Sequence, residues 1–463
     1  MNIILTSALS GIIFMFSGFV SKKKLHKSIL AAVLMIVIMI SAACQLKGNE
    51  IWAGKYPNMI VTDNYRIYFF IALCAVGLYY VLVNRNKISQ PGKMVSDYYA
   101  LIFISLTGIA VLATFNNLLL LFMGVEILSI PVYILAGTAK HKMKSTEASI
   151  KYFMMGAFST GIMLMGITLI YGASGSFLLN HITAYAFDMQ SIYYLGWTLL
   201  ILSLCFKVSV APMHYWGPDV YEGTPTVFSS YMVTIVKGGG FLAFISVMMS
   251  FKITSEIVAK NYQYLLTFII LLTLILGNFS AIKQKSVKRM LAYSSVVQAG
   301  YMMFALFVID QASKDALLFY VVSYSLSSVV LFYSLTKVDS VDHKGYYGLA
   351  KRSPLLATSC AVALFSLSGI PFTSGFLGKF FVLSAAMHVP GNLFLIIAAL
   401  ILAVISVFYY FKVIIVMYFR DTDNKKKLKL SLASQLLLIF GTALNFALGT
   451  YPDLLWQFLG LFS

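Results

Sequence analysis

Charged residues are scarce in this sequence: 11% of its 463 positions, against 60% apolar and 15% aromatic. A soluble globular chain carries about 25% charged residues, so a water-facing surface over most of this chain is excluded. Paired cysteines are missing too. Cys44, Cys74, Cys205 and Cys360 each stand alone in an apolar stretch, and without a C-x-x-C pair the ligands for an iron–sulfur cluster or a zinc ion are lacking. Neither a phosphate loop nor a dinucleotide-binding glycine fingerprint is found, which leaves no resident nucleotide site. Finally, no basic residue precedes the first apolar run, Met1 to Val20, whereas Lys22, Lys23 and Lys24 follow it. A cleavable signal peptide carries its charge in front, so this run is expected to be a retained span with its N-terminus outside.

What the chain does have is apolar runs from end to end. At about 20 residues per crossing, they predict an all-α polytopic membrane protein with about fourteen transmembrane helices. The net charge of +18 would suit a nucleic-acid partner, but the lysines and arginines sit in short clusters between apolar runs. That is the pattern of positively charged cytoplasmic loops, and no aromatic-interleaved basic surface accompanies it. The lipid bilayer is the expected partner, and no nucleic acid. Loops after odd-numbered spans hold 23 basic residues. Loops on the other side hold only 6, namely Lys47, Lys55, Arg66, Lys252, Lys260 and Lys314. A wrong count would scramble this alternation, so an even number of spans with both termini on the outer side is expected.

Five lysines remain, all inside apolar segments: Lys151, Lys207, Lys237, Lys379 and Lys412. Among the acids only Glu126 lies deep in a span. Two spans also carry unusual punctuation. The seventh runs through LSLCFKVSVAPMHYWGPDVYEGTPT, with Pro212, Pro218 and Pro225; the twelfth runs through SLSGIPFTSGFLGKFF, with Gly369, Pro371, Gly375 and Gly378 just before Lys379. Segment 354–389 is too long for one straight crossing and is expected to break near Pro371. Broken spans at matching places in two halves point to an ion path between repeats. Since they stand five spans apart, and a repeat of an odd number of spans must be inverted relative to its neighbour, two inverted five-helix repeats with broken helices 7 and 12 are predicted. The whole chain then forms one transmembrane domain: 1–97 holds spans 1–3, 98–250 the first repeat, 263–418 the second and 431–463 the C-terminal span.

A charge at the bilayer centre costs about 2.5–3.5 kcal/mol or more. Burial favours the neutral form of a lysine or a glutamate, and an opposite charge nearby favours the charged one. A lysine facing Glu126 therefore has a proton affinity set by the distance between them, and a change of distance becomes proton binding or release. Plainer readings stand beside this one. Glu126 could form a structural ion pair, and Lys237 in YMVTIVKGGGFLAF is too central to snorkel. Lys207 is deep only if its helix breaks and continues past Pro212, and Lys379 follows the second break. Lys151 stands beside Glu147, where a surface pair competes with a relay role, and Lys412 is close enough to the cytoplasmic end to snorkel. His214 is proton-competent by its unperturbed pKa but stands in a Pro-rich stretch where a histidine is often a hydrogen-bonded loop residue. His26, His141, His181, His343 and His388 fall at span ends or in loops.

The segments APMHYWGPDVYEGTPT, KRMLAYSSVVQAGYM and GIPFTSGFLGKF resemble the signature segments of the N subunit of proton-pumping NADH:quinone oxidoreductase, respiratory complex I. The resemblance runs over nearly the whole chain. It implies a proton-translocating subunit that couples quinone reduction elsewhere in the complex to outward proton transfer across the inner (plasma) membrane. Glu126 would modulate Lys207, Lys237 would be the central relay and Lys379 the terminal site, with Lys151 and His214 in support. No cofactor is implied for this chain; NADH, FMN, iron–sulfur clusters and quinone would belong to partner subunits, which include the antiporter-like and small subunits of the membrane arm. Two departures stand out: Phe372 follows Pro371 where many relatives have a second proline, and Gln298 replaces a histidine common in the L and M subunits, so that step is expected to rely on water. Rival readings are a subunit of a multi-component cation/proton antiporter, a scaffold whose charges lock helix packing, and a flippase. The last is disfavoured because the buried charges are strung out, not gathered in one cavity.

Overall fold

Hydrocarbon offers backbone N–H and C=O groups no partner, so a chain this apolar satisfies them inside helices. The computed structural model describes residues 1–20, 24–49, 51, 58–89, 94–179, 181–182, 190–251, 256–421 and 427–461. Its helices follow the apolar runs. Spans 1 to 6 are Asn2–Val20, Lys24–Leu46, Asn64–Asn84, Val95–Thr114, Leu118–Ala136 and Met143–Ser174. Span 7 consists of 7a, Gln190–Lys207, and 7b, Trp216–Gly223; span 8 runs over Thr226–Ser250 with a π-helical turn at Met232–Val236. Spans 9, 10 and 11 are Glu256–Ile282, Val287–Met302 (tightened into a 3-10 turn at Met303–Leu306) and Gln311–Leu335. Span 12 consists of 12a, Pro354–Ser368, and 12b, Ser374–Met387; spans 13 and 14 are Leu393–Phe419 and Leu432–Thr450.

Among the described residues, eleven helices are long and apolar enough to cross a membrane unaided. Spans 7, 10 and 12 bring the crossings to the expected fourteen, and each is assembled from shorter pieces. Of the loop residues in the charge argument, Lys22, Lys23, Lys55, Lys93, Lys252, Lys425 and Lys426 lie outside the described residues.

The packing pairs repeat. Span 4 packs on 5, 5 on 6, 6 on both halves of 7, and 8 returns to 4. Five spans later, 9 packs on 10, 10 on 11, 11 on both halves of 12, and 13 returns to 9. Two inverted five-helix units are thus joined side by side, with spans 8 and 11 the most enclosed of all. Spans 1 and 2 flank the first unit, span 3 packs on span 11 of the second as well as on spans 4 and 8 of the first, and span 14 packs against both halves of span 12.

Both predicted breaks are present. Span 7a ends at Lys207, and Ser209 two residues on has φ of 59°. The Trp216 indole Nε1 donates to the Phe206 carbonyl at 3.0 Å, tying the start of 7b to the end of 7a. Span 12a ends at Gly369, whose φ of 86° is a conformation that L side chains avoid. A Cβ there would also come within 3.2 Å of Cδ of Lys379, so glycine serves both the turn and the lysine.

Spans 4 and 5 touch backbone to backbone at Gly108, where a Cβ would lie 2.3 Å from the Leu128 nitrogen and 2.8 Å from the Gly124 carbonyl oxygen. Neither neighbour can rotate away, so Gly108→Ala must push the helices apart. Overpacking of this kind costs about 1–3 kcal/mol. The expected result is a lower melting temperature of the detergent-solubilised protein, and an unchanged one would show that spans 4 and 5 are not held at this contact.

Candidate functional site

Span 5 carries Glu126, Ser129 and Tyr133, spaced so that all three lie on one helical face. The Lys207 ammonium, at the end of span 7a, donates to Ser129 Oγ at 3.0 Å and to Tyr133 Oη at 3.4 Å. Glu126 lies one turn away, close enough to interact electrostatically with Lys207, yet its Oε1 is enclosed without a hydrogen-bond partner. The carboxylate and the ammonium thus stand within electrostatic reach of each other without forming an ion pair. Pro131 sits inside this helix; lacking an N–H, it cannot bond back to the preceding turn, which loosens span 5 between Glu126 and Tyr133.

Lys237 is 2% exposed and follows directly on the π-helical turn of span 8, an irregularity that often marks functional positions. Its Nζ crosses to the second repeat, donating to the Ser295 carbonyl at 2.8 Å and to Ser295 Oγ at 3.1 Å on span 10. The Tyr221 ring of span 7b lies 5.9 Å away. Tyr221 Oη in turn stands 3.5 Å from Ser209 Oγ in the broken segment after Lys207. Gly240, one turn on from Lys237, packs on the Lys207 backbone.

One turn beyond Ser295 on span 10 is Gln298, 1% exposed. Its Nε2 donates to Tyr410 Oη at 3.0 Å and to the Leu367 carbonyl at 2.9 Å; its Oε1 accepts from Tyr320 Oη at 2.5 Å. Leu367 and Ser368 close span 12a, and their carbonyls accept from Lys379 Nζ at 2.7 and 3.1 Å. The Tyr301 ring lies 4.9 Å from that ammonium. Lys379 is 6% exposed. Helix 12a directs its negative end at it, so a cation is accommodated here without a carboxylate. Gln298 thus joins the end of span 12a to the phenols of Tyr410 and Tyr320.

The supporting residues sit apart from this string. Lys151 is at the surface, with Glu147 Oε1 at 2.6 Å and Asp219 Oδ2 at 3.3 Å. It belongs to a cluster at the ends of spans 6, 7b and 10 in which Arg289 also pairs with Asp219 and Glu222. His214 is buried in the segment between 7a and 7b, its ring beside Tyr215, and among the described residues no hydrogen bond joins it to Lys207 or Lys237. Lys412 is exposed on span 13.

The lysines stand out in the sequence, but their neutral partners do not. Ser129 and Tyr133 follow Glu126 at helical spacing, and Ser295 and Gln298 lie one turn apart within KRMLAYSSVVQAGYM; those spacings were the available signals. Tyr410, Tyr320 and the Leu367 carbonyl reach the site from other spans and leave no local pattern. Among the described residues no group of three or more His, Cys, Asp or Glu could hold a metal ion.

Comparison with known proteins places these features in context. The family described as NADH:quinone oxidoreductase/Mrp antiporter, transmembrane, matches residues 115–406. NADH-quinone oxidoreductase subunit N of Cytophaga hutchinsonii is 38% identical over 461 residues, covering 99% of each chain. A chain of respiratory complex I from Thermus thermophilus, solved with bound aureothin, superposes with a TM-score of 0.82 at 28% identity over 98% of both chains. A chain of the Mrp complex from Dietzia shares the fold, with a TM-score of 0.82 at 16% identity over 100% of this chain and 96% of that one.

Proposed function

The chain belongs to the NADH:quinone oxidoreductase/Mrp antiporter family, on its subunit N branch, and we propose that it passes protons along Glu126, Lys207, Lys237 and Lys379. It is a membrane-arm subunit of an NADH:quinone oxidoreductase, coupling quinone reduction elsewhere in the complex to outward proton transfer. The observation that carries this reading is the full-length match to subunit N at 38% identity. Its partners are the other membrane-arm subunits, antiporter-like and small, and the lipid around them. Cofactors sit in other subunits, to which we assign NADH, FMN, the iron–sulfur clusters and quinone. The protein is a multi-pass protein of the bacterial inner membrane, and the excess of basic residues in alternate loops supports both termini on the outer side. Residues 98–250 and 263–418 form the two repeats.

In this mechanism a change at the quinone site, carried through the membrane arm, alters the distance between Glu126 and Lys207. Lys207 releases its proton across the broken segment, past Ser209, Tyr221, His214 and water, to Lys237. From Lys237 the route follows Ser295, Ser294, Tyr410 and the Leu367 terminus to Lys379, and then outward. The contact of Ser294 Oγ with Tyr410 Oη at 2.5 Å helps close this route. Lys151 and His214 support it from the surface cluster and the broken segment.

Purification of the tagged chain from its native membrane tests the reading. The expected product oxidises NADH, carries flavin and iron–sulfur signals, and acidifies the lumen of inside-out vesicles. A cofactor-free assembly that exchanges sodium for protons under an imposed gradient would place the chain with the antiporters instead.

A further inference from the structure

We propose that Gln298 is a positioning residue that loosens the grip of the span 12a terminus on Lys379 and so governs how readily this lysine gives up its proton. The inference rests on the reading of Lys379 as a proton site. The Leu367 carbonyl oxygen accepts two N–H groups at once, from Lys379 Nζ at 2.7 Å and from Gln298 Nε2 at 2.9 Å. Two donors on one oxygen compete for its lone-pair density. The N–H end of the amide, the positive end of its dipole, also faces the side on which the ammonium lies. Both effects work against the charged form of Lys379.

The orientation of the amide is fixed by the acceptor-only carbonyl it meets, and its other bonds fit that orientation. Oε1 accepts from Tyr320 Oη, and the second Nε2 hydrogen goes to Tyr410 Oη. If the amide turned over, both phenols could reverse their roles, but its oxygen would be set against the Leu367 carbonyl, which only accepts. An amide does not titrate in the physiological range, so Gln298 acts by placement and is not itself a proton carrier. The groups around the ammonium are neutral: the carbonyls of Leu367 and Ser368, the Tyr301 ring of span 10, and beyond Gln298 the phenols of Tyr320 on span 11 and Tyr410 on span 13. The ion pairs among the described residues do not include Lys379. With no carboxylate to outweigh it, a neutral competitor at the shared carbonyl has leverage.

The test is a series at position 298 in the intact, reconstituted complex, reading proton pumping beside uncoupler-stimulated NADH oxidation. Gln298→Glu keeps the shape but brings a carboxylate near Lys379; an opposite charge at such range changes proton affinity by about tenfold or more, and pumping is expected to fall by that factor. Gln298→Leu only removes the competing donor, an effect of about threefold, within the range of one hydrogen bond. Gln298→His restores a donor and is expected to pump nearly as wild type. A space-filling role predicts the reverse order, with isosteric Glu mildest and Leu worst; that order, or full pumping by Gln298→Glu, overturns the proposal. Should Gln298→Glu fail to assemble, Tyr320→Phe frees only Oε1 of the amide and should lower pumping in an assembled complex; wild-type pumping there also overturns it. Lys379→Ala separates the two levels. If it pumps fully, the proton-site reading itself fails. If it is inactive while Gln298→Glu is normal, only the role of Gln298 is lost.

Discussion

Lys237→Met in the assembled complex is expected to lower proton pumping by about tenfold or more, the scale on which loss of a proton-transferring group acts, while leaving assembly intact. Methionine keeps an unbranched chain of similar length in the pocket and removes the titratable nitrogen. The stability side of this prediction follows from what Lys237 touches. Its partners are the Ser295 carbonyl and hydroxyl, with no acid among them. A buried charge without a counter-ion is a burden on folding, so its removal relieves desolvation and gives up only two hydrogen bonds, roughly 1–3 kcal/mol for the acceptor left behind. A scaffold would predict the opposite: assembly lost first, and pumping only as a consequence. Quantifying the complex by native electrophoresis alongside pumping in proteoliposomes separates the two. Wild-type pumping by verified, assembled Lys237→Met would remove Lys237 from the path.

The fold was legible where the physics is crude and strong. Twenty-residue apolar runs, loops of one charge sign, and proline or glycine inside a span each have a single inexpensive structural answer in a bilayer, so the crossings and both breaks could be read directly. Finer boundaries depend on local competition. Span 6 looks from its charges as if it starts near residue 148, but the helix begins at Met143 because Glu147 and Lys151 pair one turn apart and helix continues into water. Span 7 looks apolar as far as residue 211, yet its first helix stops at Lys207, where the chain turns through Ser209 at a φ of 59°. The π-helical turn before Lys237 leaves no trace in the apolar pattern.

For the site, legibility follows cost. A lysine within a span is expensive and so conspicuous, whereas serine, tyrosine and glutamine are cheap there and common. Hence Lys237 and Lys379 could be picked out singly, but the link through Ser295, Gln298 and Leu367 could not, because it is made by three spans meeting. Lys151 shows the converse. Its neighbour Glu147 left a surface pair and a relay role both open, and the side chain joins a surface cluster, held there by Glu147 and Asp219.

Lys207→Arg carries the second large expectation: assembly preserved, pumping reduced by about tenfold or more. The guanidinium retains the positive charge and can donate to Ser129 and Tyr133, but it does not release a proton within a protein. A fixed cation would therefore satisfy every structural demand that span 5 makes on Lys207. What it cannot do is alternate between two charge states as its distance from Glu126 changes. The present arrangement looks like one end of such a cycle: the ammonium rests on two hydroxyls, while Oε1 of Glu126 has no partner. Glu126 and Ser129 are separated by about 4.5 Å of helix rise, a distance the lysine side chain can cover by changing rotamer, and Pro131 loosens the helix beside it. If motion between these two rests drives the first proton step, a permanently charged side chain stalls it in either position. An assembled Lys207→Arg complex that pumps at the wild-type rate would mean that Lys207 serves only as a fixed charge, and the first step would have to be sought elsewhere.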